Sequence, residues 1–339
     1  MVQLDLVIPG LCGPLPEINS LNSEAVRSLI SWLAKASRQT ENEKDFYQVL
    51  ARLFAINAID SFPAAALSAL ASGQYTEQGH WFCVDPVHLQ ADMDHAILRG
   101  AQGLDLTEQE SAALIDELNQ HFQQEGIRFH MTDRHSWFIN VPDHANVTTT
   151  PVNDVIGRNI YSFMPQGDDA LFWKKILNEV QMLLHQSRVN ARRAANNQLP
   201  VNGVWLWGGG VLPSSGTLSH ANIYAQHAIV SGLAALNKTG CYPATELGNF
   251  IENASGDSRA IAVIDDLHDV SSHGDVNAWQ AVLNDLYVNQ LGTVLNAAMK
   301  KNIRINLYPC NGVCYQLRAR DKFKIFRDKK IETYINTYE

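Results

Sequence analysis

The chain has 339 residues, 46% of them apolar and 18% charged, a balance that excludes disorder and fibrous structure and leaves room for one large α/β domain or two ordinary ones. Its formal charge of −9 argues against nucleic acid as the main partner. No apolar run approaches the ~20 residues of a membrane-spanning helix: the longest, Ala225 to Leu236, is interrupted by Gln226, His227, Ser231 and Gly232.

Leu4 to Ile8 is short and mostly apolar and stops at Pro9-Gly10, which predicts a buried first strand feeding the loop Pro9 to Pro16. Met1 to Asp5 lacks the basic and apolar regions of a secretory signal, and the cysteines are odd in number (Cys12, Cys83, Cys241, Cys310, Cys314), so reduced thiols in a cytoplasm are expected. Ser23 caps a predicted helix with Val26, Leu29, Ile30 and Leu33 on its apolar face. A polar stretch from Ser37 to Asp45 precedes a second helix carrying Phe46, Leu50, Leu53 and Phe54.

His80 to Val141 reads as a unit of its own. Thr107 and Glu110 form a capping box, Leu114, Leu118 and Phe122 follow at helical spacing, and Gly126 ends the helix. Ile127 to Met131 alternates as a strand, and Trp137 to Val141 is the next. Beyond it the pattern predicts a helix over Asp169 to Gln186, a strand over Gly203 to Trp207 running into Gly208-Gly209-Gly210, and a helix over Asn222 to Leu236. A strand over Ala260 to Ile264, a long helix over Val276 to Lys301 and a strand over Ile303 to Tyr308 complete it. Alternating strands and helices imply a largely parallel, doubly wound sheet. The expected organisation is a core of residues 1–79 plus 142–339 with a small inserted α+β lobe at 80–141.

Ligands of open α/β sheets gather at strand carboxyl ends. The loops Pro9 to Pro16, Gly208 to Pro213 and Asp265 to His273 are therefore expected to lie together. Asp265 to Asp275 concentrates four carboxylates and two imidazoles. Asp269 and His273, one helical turn apart, could share a metal but supply only half a site; a polar loop capping the next helix is the other reading. The triple glycine allows close approach of a ligand or a tight turn under a packed helix, and no P-loop lysine follows it. Trp205 and Trp207 share a strand face and read as core. Arg134, beside His135 between two strands, can reach an anion or simply be exposed. Cys310 and Cys314 read as small buried residues around the Asn311-Gly312 turn rather than as a zinc pair. Arg318 to Lys330 holds seven basic and two acidic residues and reads as a solvated tail.

Several stretches stand in a telling order: Asp85 to Leu89 with Asp92 and Asp94, Leu106 to Glu110, Arg134 to Phe138, Met164 to Gly167, Val189 to Arg193, and Pro200 to Gly210 with Pro213. That order resembles the cofactor-independent phosphoglycerate mutases of archaeal type, in the alkaline phosphatase superfamily, and more closely the proteobacterial phosphoglycerate-mutase-like regulatory proteins. The resemblance implies an alkaline-phosphatase-like core, a mostly parallel sheet between helix layers, with the lobe on the substrate side. In such mutases two manganese or zinc ions sit at strand ends, a serine is phosphorylated in turn, and lobe arginines hold phosphoglycerate. Of those residues Arg134 aligns, and Asp269 with His273 match an Asp-x3-His metal pair. Pro9 stands in place of a metal-binding Asp, Pro309-Cys310-Asn311 in place of an Asp-His pair, no His follows His273, and the serine nucleophile has no match between Ser37 and Leu50.

The expectation is a cytoplasmic, degenerate mutase-like protein without an intact two-metal site, in a regulatory or metabolite-binding role. No catalytic residue is assigned and no cofactor is expected. Arg134, Gly208, Gly209 and Gly210 would line a cleft between core and lobe for a small phosphorylated or carboxylated metabolite, with Asp269 and His273 as the metal candidates. A protein partner fits such a role; a membrane and nucleic acid do not. The alternative is a metal-dependent phosphoglycerate mutase or phosphatase with an altered site, using manganese or zinc at Asp269 and His273 with help from Asp265, Asp266 or His268.

Overall fold

A computed structural model describes residues 1–56, 61–92, 95–213, 221–324 and 330–337. Asp94 and residues 325–329 of the basic stretch thus lie outside the described residues. In chain order the elements begin with β1 (Gln3–Val7), α1 (Glu24–Lys35), β2 (Ser37–Thr40) and α2 (Phe46–Leu53). There follow α3 (Ala64–Ala71), β3 (His80–Asp92), β4 (His95–Arg99), α4 (Glu108–His121), β5 (Arg128–Met131), β6 (Trp137–Val141), α5 (Ala170–Gln186), α6 (Arg188–Ala195) and β7 (Gly203–Gly210). The chain continues through β8 (Ala221–Tyr224), α7 (Ala228–Leu236), β9 (Cys241–Tyr242), α8 (Leu247–Asn253), β10 (Arg259–Val263), α9 (Asp266–Ser272), α10 (Val276–Leu286), α11 (Gly292–Lys300), β11 (Arg304–Tyr308) and β12 (Val313–Leu317). The expected long helix over Val276 to Lys301 is realised as α10 and α11 joined by a π turn at Tyr287–Leu291.

Contacts divide the chain into two compact units, Met1–Asn57 with Ser215–Glu339, and Ala58–Ser214. The first holds a mixed, mostly parallel seven-stranded sheet in the order β2-β12-β11-β1-β10-β8-β9. β1 pairs in parallel with β10 and β11, β10 with β8 and β8 with β9, while β12 runs antiparallel to β11 and β2. One face packs Leu4, Leu6, Ala260, Ala262, Ile305 and Leu307 against α1, α8, α10 and α11 through Leu29, Phe250, Trp279, Leu283 and Leu295. On the opposite face α2 reaches the sheet, with the Arg52 guanidinium 5.0 Å above the Tyr308 ring.

The second unit holds an antiparallel sheet of five strands, in which β3 is central and pairs with β4, β6 and β7. Phe82, Val84, Phe129, Trp137, Ile139 and Leu206 pack against Leu114 and Leu118 of α4 and Trp173, Ile176 and Val180 of α5. The stretch 80–141 supplies β3 to β6 and α4; the unit extends beyond it because α3, α5, α6 and β7 complete the same sheet and core.

Two sequence expectations are corrected. The strand over Gly203 to Trp207 is not in the parallel sheet: Gly203 to Trp207 align with Val87 to Cys83 of β3 in an antiparallel ladder. Asn222 to Leu236 is not one helix. Ala221 to Tyr224 pair with β10, and His227 caps α7, its side chain accepting the Ile229 N–H.

Candidate functional site

In the first unit the carboxyl ends of β1, β10, β8 and β11 deliver Ile8-Pro9-Gly10, Ile264-Asp265, Ala225 to His227, and Tyr308-Pro309. The Ile8 N–H donates to the Tyr308 carbonyl at 2.9 Å, and the Ile264 N–H to the Val7 carbonyl at 3.0 Å, so these ends are laced together. The loop after β1 is held shut. Gly10 has φ +78°, and a Cβ there would stand 2.5 Å from the Leu267 carbonyl oxygen of α9. Trp279 Nε1 donates to the Gly10 carbonyl at 2.8 Å, and Ser271 Oγ to the Pro14 carbonyl at 3.2 Å. The structure thus brings the Pro9 to Pro16 and Asp265 to His273 loops together, as expected of strand ends.

Around them sits an aromatic and imidazole nest. Phe46 meets His227 and His268 edge-on, with centroids at 5.4 and 5.5 Å. The Nδ1 of His227 accepts the Ile229 N–H at 3.2 Å, which puts the ring proton on Nε2, 3.9 Å from Asp265 Oδ2. Burial, and then the nearby His227, push the His268 pKa down to about 4. Asp269 lies on α9 and His273 caps its end. The His273 Nδ1–H donates to the Asp269 backbone carbonyl at 2.8 Å, so the spacing joins ring to backbone.

Among the described residues no group of three or more His, Cys, Asp or Glu is arranged to hold a metal. Pro9 offers no side-chain donor. Burial raises the pKa of the Cys314 thiol to about 12 and raises that of Cys310 as well.

In the second unit the β5–β6 turn presents Arg134. Asp133 Oδ1 accepts the N–H groups of His135 and Ser136 at 2.8 and 3.0 Å. The Arg134 N–H donates to Glu108 Oε1 at 3.3 Å, and Ser111 Oγ donates to the Arg134 carbonyl at 2.8 Å. The first turns of α4 therefore fix the Arg134 backbone while its side chain is exposed. Burial, then the Arg134 charge, lower the His135 pKa. His135 Nε2 and Trp137 Nε1 are buried without a hydrogen-bond partner.

The three glycines of β7 are explained by close packing. A Cβ on Gly208 would lie 2.8 Å from the Ala64 Cβ, one on Gly209 2.2 Å from Phe82, and one on Gly210 3.0 Å from Pro63. Their missing side chains let α3 and Phe82 lie against the strand.

Several residues in the resembling stretches turn out to be clamps. Asp85 accepts from Trp207 Nε1 at 2.6 Å and from the Trp137 N–H at 3.3 Å. Asn190 donates to the Leu184 and Val201 carbonyls, each at 2.7 Å, and accepts the Val201 N–H at 2.9 Å. Asn202 holds Leu89 by N–H and carbonyl at 2.6 and 2.9 Å. Arg193, 1% exposed, donates to the Leu104 and Leu199 carbonyls and to Glu110. Against its burial, Glu110 is held below the usual carboxylate range by donors from Thr107 and Arg193. Reasoning from the residues alone missed Asn190, Asn202 and Arg193. The one available signal was Asn202, set between Pro200 and Gly203 just before a strand; Asn190 and Arg193 lie on α6, where no local pattern marks them.

A family model described as 2,3-bisphosphoglycerate-independent phosphoglycerate mutase matches residues 65–190, wholly within the second unit. The 2,3-bisphosphoglycerate-independent phosphoglycerate mutase of Methanosarcina mazei is 25% identical over 53% of this chain and 46% of its own length. That of Methanothrix thermoacetophila is 40% identical over 19% of this chain and 17% of its own. The chain thus spans less than half the length of these curated relatives. Among solved structures, the PH0037 protein of Pyrococcus horikoshii shares the fold at 12% identity and a TM-score of 0.51, over 94% of this chain and 87% of that one. Over part of its length the chain is thus similar to the 2,3-bisphosphoglycerate-independent phosphoglycerate mutases. No helix among the described residues is long and apolar enough to cross a membrane.

Proposed function

We propose that this chain is a phosphoglycerate-mutase-like protein that has lost two-metal phosphoryl transfer and acts by binding a small phosphorylated or carboxylated metabolite in a regulatory role. The observation that carries this reading is the end of β1. There Pro9 offers no side-chain donor, and α9 with Trp279 packs onto Gly10, where a Cβ would already collide. Without divalent ions the developing phosphoryl charge has no clamp and no serine is activated. The exposed Arg134, with its backbone fixed by α4, is the candidate contact for the anionic ligand. A protein partner reading the bound state suits such a role, and five free thiols support a cytoplasmic setting.

Elemental analysis tests the reading, after incubation with manganese and zinc and removal of the excess. Close to zero equivalents per chain is expected, together with a rise in melting temperature in 3-phosphoglycerate that Arg134→Met abolishes. About two equivalents would overturn it. The homology itself favours a second reading, a metal-dependent mutase or phosphatase with an altered site. Phosphoglycerate turnover that His273→Ala abolishes would establish that one.

A further inference from the structure

The parallel sheet of the first unit breaks a rule of its class. Parallel strands are covered on both faces and read as apolar runs. One face of β1, β10 and β11 obeys, with Leu4, Leu6, Ala260, Ala262, Ile305 and Leu307 in the core. On the opposite face the amino-terminal halves of these strands carry two polar rows. The register sets Arg259, Gln3 and Arg304 side by side, and Asp5 beside Asn306 one step further along.

Asp5 is fully buried. Its carboxylate accepts from Arg259 Nε at 2.8 Å, from Asn306 Nδ2 at 2.7 Å, and from Gln3 Nε2 at 3.0 Å to each oxygen. The bond to a carboxylate settles the Asn306 amide: Nδ2 faces Asp5 and Oδ1 is the remaining atom. Asn306 is 5% exposed, and its Oδ1 has no hydrogen-bond partner. On the same strand face, two residues earlier, the buried Arg304 Nε also has none. A buried acceptor and a buried donor left open are costly, and here they do not satisfy each other. What completes them must offer an acceptor to Arg304 and a donor to Asn306. Two guanidiniums against one carboxylate leave the rows positive, which selects an anion. The Arg259 side chain is 33% exposed, so the rows open to solvent.

We propose that these rows bind a small oxyanion that also carries a hydrogen-bond donor, the chemistry shared by the phosphate monoanion and the 2-hydroxycarboxylates. The site lies on the sheet face at the amino-terminal halves of the strands. It is independent of the strand-end reading above.

The test is calorimetric titration of the intact protein with inorganic phosphate, glycolate and sulfate, at about pH 6, where much of the phosphate keeps a proton. Saturable binding of phosphate or glycolate is expected, and which of the two binds tighter identifies the source. Sulfate, similar in shape but without a donor, should bind at least tenfold more weakly. Arg304→Met should weaken phosphate and glycolate at least tenfold with an unchanged melting temperature. Asn306→Leu should remove the preference over sulfate, and the Arg304 variant decides if that protein fails to fold. No saturable binding of either anion, equal binding of sulfate, or wild-type affinity in Arg304→Met would overturn the proposal.

Discussion

His130 and His268 show how single side chains tie this protein's stability to pH. His130 stacks on Phe138 at 5.3 Å and 9° between planes, and burial followed by the Arg128 charge lowers its pKa to about 4. His268 is lowered equally far in the other unit. Both begin near 6.5 when unfolded, so between about pH 6.5 and 4 the unfolded chain binds more protons than the folded one. The stability is fully present above pH 6.5 and is lost as pH falls toward 4. At 1.36 kcal/mol per unit the ceiling is ~3 kcal/mol for the buried His268, and it is smaller for the half-buried His130, which solvent screens. Urea midpoints should therefore fall between pH 7 and pH 5. His130→Phe, which keeps the stacked ring and removes the titration, should flatten the fall in the second unit. An unchanged slope in that variant would remove the argument. Asn190 makes a second residue-scale case: it bonds one side chain to three backbone groups in a buried setting. Asn190→Ala should cost about 2–4 kcal/mol in chemical denaturation, because it strands buried carbonyls.

At the scale of elements, β7 and α3 are held by absent atoms. Gly209→Ala places a Cβ 2.2 Å from the Phe82 ring, and Gly208→Ala adds a φ of +64° to a 2.8 Å contact with Ala64. Overpacking of this kind costs about 1–3 kcal/mol, and each should lower the denaturation midpoint accordingly. Gly248 in α8 is the control. Nothing lies within 4 Å of its Cβ, so Gly248→Ala should be neutral or stabilising by about 0.5–1 kcal/mol. A loss at Gly248 equal to that at Gly209 would sink the packing account. The same elements show how far the sequence could be read. The capping box at Thr107 and Glu110, the apolar stripes of α1 and α4, and the strands β1, β6, β10 and β11 are local patterns, and all are present. The thirteen-residue β3 was not legible, because Pro86 interrupts it. Its residues 84–87 pair only with β7, between the stretches that pair with β6 and β4, a context no local pattern records. The sheet to which β7 belongs is likewise decided by a partner more than a hundred residues away. Of the strand-end region, the juxtaposition of the Pro9 and Asp265 loops was legible from the α/β rule. The Asp5 to Asn306 contact was not, since it joins residues 301 apart.

Across the whole molecule, the family-model match falls within one unit, residues 65–190 inside Ala58–Ser214, while the Methanosarcina mazei mutase matches 53% of the chain. Within that unit the resembling stretches supply Asp85, Asn190, Arg193 and Asn202, which fasten strands and turns. These residues serve as scaffold, and a scaffold can persist while chemistry changes. Two units with separate cores also need not unfold as one. Five of the seven tryptophans, Trp81, Trp137, Trp173, Trp205 and Trp207, lie in the second unit, and Trp32 and Trp279 in the first. Tryptophan emission therefore reports chiefly on the second unit, while far-ultraviolet circular dichroism reports on helices of both. The two urea transitions should not coincide. Asn190→Ala should shift the emission transition by the larger amount. Trp279→Phe, which removes the bond to the Gly10 carbonyl in the first unit, should shift the dichroism and leave most of the emission transition in place. Coincident transitions that move together in both variants would mean that the units stand or fall as a single cooperative structure. The persistence of one unit's pattern would then have to be explained by the stability of the whole.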